Sequence, residues 1–466
     1  MKTKITLLIA MLFVGFSAIS AQTGQEEDMN TLSIFSEYAK AKNYDAAYGP
    51  WMELRNRNPK FNRAIYTYGE RILKDKIKKS SGADKVGFIN DLVKLYDERM
   101  NYFASKTPTG EFMAKATQVK YDYRKDLGVS KDELYNGFDA AYKADAKTFT
   151  NPKSLYTYFS LMVDLYDAKK KTAQQLFNKY DDISEKIDFE IKNYTRMLNK
   201  FVPQGSEDEE TPEVALNPKD AKKVKSYNSY LKAYNQIVGS VDKKLGDRAN
   251  CENLIPLYTR DFEEFKNDKV WLQRAMNRMY TKECTDDALF VKVVQQMNTL
   301  EPNASTAYYL GILKEKEGSW DEALAYFNQA VELESDPIDK AKRLNSIAGK
   351  FRKKGSLGQA RSYYQKALKE NPSLGSAHLS IAQMYAKSAN NCGTDSFTKR
   401  AVFWLAANEA RKAGRVDASL SKASANTVAN YLAKAPTKSD IFSKGNSGES
   451  IKIGCWINRT VKVPSL

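Results

Sequence analysis

The chain has 466 residues, 28% of them charged, with a formal net charge of +16, four cysteines and a single histidine. One histidine and the absence of any CxxC pair exclude a compact zinc site of Cys and His, so neither metal nor cofactor is expected. The positive balance favours anionic neighbours such as acidic proteins, envelope polyanions or lipid headgroups.

In chain order, residues 1–21 read as a secretory signal peptide. Lys2 and Lys4 precede an apolar run from Ile5 to Phe16, and small residues follow at Ala18, Ser20 and Ala21. That run is too short to span a bilayer of about 30 Å. No cysteine stands at the boundary, so a mature chain that is exported, periplasmic or otherwise outside the cytoplasm, soluble and not lipid-anchored is expected. No later segment has the apolar length of a transmembrane helix, and an exported chain has no call for nucleic acid.

Residues 22–201 read as a first helical-repeat lobe. Apolar residues recur at three and four rather than at two. A helix to about Ala41, a second from Tyr44 and a third carrying Ala64, Tyr68 and Ile72 are separated by turns at Asn43 and at Asn58 and Pro59. Pro152 opens a helix expected to run to about Lys200. The lysine runs at 74–80 and 167–174 read as solvated helix faces. Residues 202–220 break the pattern: four consecutive acids, three prolines and no apolar period indicate an exposed linker. Its carboxylates hold no fixed geometry and so make no acid/base site.

Helix resumes over 221–302, a region holding Cys251 and Cys284. Four cysteines in an exported chain favour disulfides. Three pairings are possible, and the expected one joins sequence neighbours, Cys251 to Cys284 and Cys392 to Cys455. Residues 303–435 contain a repeated face. Ala323, Phe327 and Ala330 fall at steps of four and three, and Ala360, Tyr364 and Ala367 reproduce them. Such a face has another copy of itself as its natural partner.

The same stretch resembles tetratricopeptide repeats, helix-turn-helix units of thirty-four residues. Leu310, Gly311, Gly318, Ala323, Phe327 and Ala330 fit the first copy, and Leu344, Ile347, Ala348, Phe351, Gly355, Ala360, Tyr364, Ala367 and Pro372 the second. A third begins at Gly375 with His378, Ile381, Ala382 and Tyr385, its helices separated by the insertion "KSANNCGTDSFTK". The fold class is therefore all-α, a solenoid of helical hairpins in two lobes. Residues 436–466 read as a capping tail in which "ESIKIGCWINRTVKV" alternates with period two as a short strand or hairpin. Exported repeats with a "CWI" tail resemble a group of tetratricopeptide-repeat proteins of Bacteroidota cell envelopes.

Tetratricopeptide domains are protein-binding scaffolds that use the concave surface lined by the first helix of each pair. The resemblance implies that this surface presents Tyr308 and Ile312, then Lys342, Asn345 and Arg352, then Leu379 and Gln383. Tyr308 is expected as an aromatic anchor. The expected partner is an envelope protein offering an acidic or extended segment, with Lys342 and Arg352 governing encounter. A second reading is binding of anionic envelope polymers, cell wall or lipopolysaccharide, through the basic surface. An enzyme is the weaker reading. No GxSxG, P-loop or HExxH occurs, and His378 stands at a packing position of the repeat. Only a glycan-active enzyme working through carboxylates alone would fit.

Overall fold

The computed structural model describes residues 24–202 and 216–466, so the expected signal peptide and most of the acidic segment lie outside the described residues. Within these limits the chain is helical almost throughout, and the strands described are two short ones near the C-terminus. It divides into two compact units, one ending at Ile183 and the other beginning at Ser184. The division falls inside a helix.

The first unit begins with α1 (24–40), α2 (Tyr44–Arg57), α3 (Ala64–Lys79) and α4 (Gly82–Tyr102). Trp51 is fully buried, and its indole N–H donates to the Ile65 carbonyl at 2.8 Å. The ring lies where Gly69 has no side chain, since a Cβ there would stand 2.6 Å from it. Leu54, Ile72, Leu73, Ile89 and Leu92 complete this core. Arg55, also buried, is held between Asp91 and Glu98. A buried guanidinium needs such partners because an unpaired charge out of water costs several kcal/mol.

Then come α5 (Thr109–Asp122), α6 (Arg124–Leu127), α7 (Lys131–Asp145) and α8 (Pro152–Asp167). The long helix expected from Pro152 is two helices, because α8 stops at Asp167 and α9 runs Ala173–Asn199. Lys169 turns the chain with φ of 59°. Thr172 and Gln175 then exchange hydrogen bonds, each backbone N–H donating to the other's side chain, at 3.0 and 3.2 Å. That is a capping box, T-x-x-Q, which starts a new helix.

In the second unit, α10 (Pro218–Leu245) returns along the later part of α9, with Tyr230 stacked 4.7 Å from Tyr194 and Tyr227 6.4 Å from Phe201. Helices α11 (Cys251–Phe265), α12 (Lys269–Thr281) and α13 (Ala288–Leu300) follow. Cys251 is bonded to Cys284, Cα atoms 5.4 Å apart, which ties the start of α11 to the turn after α12.

Three hairpins come next, α14 (Ala304–Lys316) with α15 (Trp320–Leu333), α16 (Pro337–Lys353) with α17 (Leu357–Glu370), and α18 (Gly375–Cys392) with α19 (Ser396–Val416). Each packs on the next in chain order. Ala323, Phe327 and Ala330 are fully buried, as are Ala360 and Ala367. The insertion in the third copy makes no separate loop. "KSANNC" prolongs α18, Gly393 ends it, and Asp395 with Thr398 forms a capping box that begins α19 early.

Past α20 (Ser421–Leu432) and α21 (Lys438–Lys444), β1 (Ser450–Ile453) and β2 (Arg459–Lys462) form an antiparallel hairpin in which Ile451 faces Val461. The hairpin packs on α19. Period two is interrupted between Ile453 and Ile457. The chain then turns through Cys455, at φ of 52°, so that Cys455 is exposed while Ile457, Val461 and Val463 are buried. Cys455 is bonded to Cys392 at the end of α18. Trp456 donates to the Ser388 hydroxyl at 3.0 Å and Arg361 to the Ile457 carbonyl.

Candidate binding face of the repeats

The face in question is carried by α14, α16 and α18, the first helices of the three hairpins. Two of them start at a capped turn: Asn303 accepts from Ser305 and Thr306 at α14, and Asp336 from Ile338 and Asp339 at α16. Such caps fix where these two helices begin and therefore which side chains line up across the stack.

Tyr308 is not an exposed anchor. It is only 7% exposed, its ring 5.3 Å from that of Phe327, and its hydroxyl bonds to Ser346 at 2.6 Å and Tyr280 at 3.3 Å. The reason is the close approach of α14 and α15. Gly311 brings Phe327 against α14, and Tyr308, one turn earlier, covers the same ring. Ile312 is buried to the same degree, with an edge that lines a shallow depression of about 590 Å³ alongside Tyr280, Thr285 and Lys316. Asn345 is half-buried, and its amide oxygen has no hydrogen-bond partner among the described residues. Leu379 is half-buried, whereas Arg352 and Gln383 are exposed and touch at 3.4 Å.

Lys342 is paired within the chain, to Asp188 of α9 at 2.8 Å and to Asp339 at 3.1 Å. It is one of a series. Glu185 accepts two hydrogen bonds from the Arg274 guanidinium, at 2.8 and 2.7 Å; Lys192 pairs with Asp339 and Arg196 with Asp336. Asn199 bonds the Asn371 amide at 3.0 Å and accepts from the Ser373 N–H at 3.2 Å. Burial pushes the Asp188 carboxyl up, but Lys342 and Lys192 beside it hold it below the usual carboxylate range.

The face thus has two parts. The part with Asp336, Asp339 and Lys342 is covered by α9. Towards the ends of the helices Arg352 and Gln383 are exposed and Gly349 is half-buried, with the buried Ile312 only at the edge. A Cβ at Gly349 would meet nothing within 4 Å. Sequence reasoning missed Gly349 and the α9 residues. The only available signal was the regular spacing of Glu185, Asp188, Lys192, Arg196 and Asn199, and that spacing does not say what they face.

His378 sits where α18 meets α19, its Nδ1 2.8 Å from the Glu409 carboxylate, with Lys412 on the other oxygen at 3.0 Å. Burial pushes Glu409 up, yet these two partners bring it below the usual range.

No family model matches the chain. Two curated relatives are photosystem I assembly proteins Ycf3. The one from Prochlorococcus marinus subsp. pastoris is 33% identical over 87 residues, 19% of this chain and 50% of that protein. The one from Synechococcus sp. is 34% identical over 84 residues, 18% and 48% respectively. The chain spans about half the length of these relatives. Among solved structures, a tetratricopeptide repeat protein from Parabacteroides merdae is similar over 68% of this chain and 97% of its own, at 9% identity and a TM-score of 0.25. The hetero-tetramer Cut9–Hcn1 is similar over 87% of this chain and 96% of that one, at 11% identity and a TM-score of 0.31.

Proposed function

We propose that the protein is a non-enzymatic scaffold of the cell envelope that binds a protein partner on the open part of the repeat face, around Ile312, Gly349, Arg352 and Gln383. The observation that carries this is that Arg352 and Gln383, on neighbouring first helices, are exposed and touch, with open space over Gly349 one turn before Arg352. Arg352 makes a partner with acidic groups the better match, since charge at a rim governs encounter more than affinity. Location outside the cytoplasm is supported by the signal layout and by the two disulfides, which persist in oxidising compartments. The linker over 202–220 and the surface role of Asn345 and Leu379 belong to the same proposal.

The test is a pull-down from envelope extract with the wild type and with Arg352→Glu. Recovery of one stoichiometric protein, reduced by the variant and more so at low salt, supports the reading. Recovery unchanged by Arg352→Glu and by Gly349→Ala together places the interface elsewhere.

A second reading, contact with an anionic envelope polymer, is favoured by α10. Lys222, Lys225, Lys232 and Lys243 lie exposed along it at helical spacing and have no ion-pair partner among the described residues. Retention on polymer without any protein, lost on reversing these lysines, would support it.

A further inference from the structure

Five side chains of α9, Glu185, Asp188, Lys192, Arg196 and Asn199, recur at steps of three and four, which puts them on one face of a helix over about 21 Å. Every one bonds to the repeats or the hairpin before them. Acids of α9 meet Arg274 and Lys342, bases meet Asp339 and Asp336, and the amide meets the turn at Asn371 and Ser373. A helix placed there merely to complete a core would offer an apolar stripe. The helix does bury Ile187 and Leu198 and stacks Tyr194 on α10, but the bonds it makes to the repeats come from its polar side.

We propose that residues 184–199 are a ligand that the chain carries for its own repeats, holding the Lys342 part of the face. The partner which that part fits is a helix with the same order of groups, acid, acid, base, base, amide, at i, i+3, i+7, i+11 and i+14, and it competes with α9. Matched charges of this kind set register and choice of partner more than tightness. At least one side chain in each pair is partly open to water, so the contact is exchangeable and sensitive to salt. The inference rests on the contacts of α9 and not on the identity of any envelope partner.

The probe is a fluorescent peptide of residues 184–202 titrated into the full chain, with hydrogen exchange followed over 184–199. An occupied face lowers the apparent affinity by the fraction of time it is open. Asp188→Lys with Arg196→Glu in the protein therefore raises exchange in 184–199 and tightens the peptide about tenfold. Adding Lys342→Glu and Asp336→Asn to that variant re-forms the first pair with reversed sign and relieves the second while Asn keeps the cap of α16, so exchange falls and the peptide is again excluded. Should the first variant lose helicity, Asp188→Asn with Arg196→Gln takes its place. Unchanged exchange and unchanged peptide affinity, or tightening that the reversed face does not undo, overturns the inference.

Discussion

Replacing glycine by alanine inside a helix ordinarily stabilises it by about 0.8–1 kcal/mol, and two glycines of this protein separate that effect from packing. At Gly311 a new Cβ would lie 2.6 Å from two ring carbons of Phe327 and 3.1 Å from the Ala323 carbonyl. Ordinary contact needs nearly 1 Å more. The ring has little room to retreat, because Phe327 is fully buried, and the carbonyl is backbone. Overpacking of this kind costs about 1–3 kcal/mol. Set against the helix gain, that cost leaves Gly311→Ala destabilising the second unit by up to about 2 kcal/mol, whereas Gly349→Ala, with nothing near its Cβ, is expected to stabilise it by about 0.5–1 kcal/mol. Thermal unfolding by far-ultraviolet circular dichroism reads both as shifts of opposite sign, about 2–4 °C per kcal/mol at this size. Phe327→Leu added to Gly311→Ala should recover part of the loss by making room. Equal stabilisation by the two alanines would refute the close approach of α14 to Phe327.

Tyr308→Phe removes the hydroxyl bond to Ser346 and is expected to cost about 1 kcal/mol, while Tyr308→Ala costs about 3 kcal/mol by opening a cavity; the measurement is the melting temperature of the free protein. Cys455→Ser opens a loop whose ends are 63 residues apart and should destabilise the tail by about 4 kcal/mol on the chain-entropy model, seen as faster amide exchange over 450–463. The folded Glu409 carboxyl is held below its usual value by His378 and Lys412 against the opposing effect of burial. Its contribution to stability is therefore full above the unfolded carboxylate range and is lost as pH falls through the lower folded value. Glu409→Gln should flatten the loss of stability of the α18 and α19 hairpin below about pH 4.5, measured by acid titration of its amide exchange; an unchanged acid profile would count against the His378, Glu409 and Lys412 cluster.

The repeated hairpins were legible in the sequence because their determinants are local and recur. Small residues at Gly311, Ala323 and Ala360 permit close approach, large ones at Phe327 and Tyr364 fill what remains, and asparagine, aspartate and glycine mark the turns. A two-helix contact that is repeated needs no long-range information to be read. The break between α8 and α9 was legible too, in Thr172 and Gln175, although a long apolar period overrode it. Tertiary structure decided what the side chains of the binding face do. Tyr308 stands at an outward position of its repeat, yet the ring beneath Gly311 draws it into the core. Lys342 is a surface lysine in the sequence, and it is paired because a helix more than a hundred residues upstream lies across it. Periodicity names the face on which a residue stands, but which element covers that face depends on the path of the whole chain, and the spacing of Glu185 to Asn199 carries no record of that path.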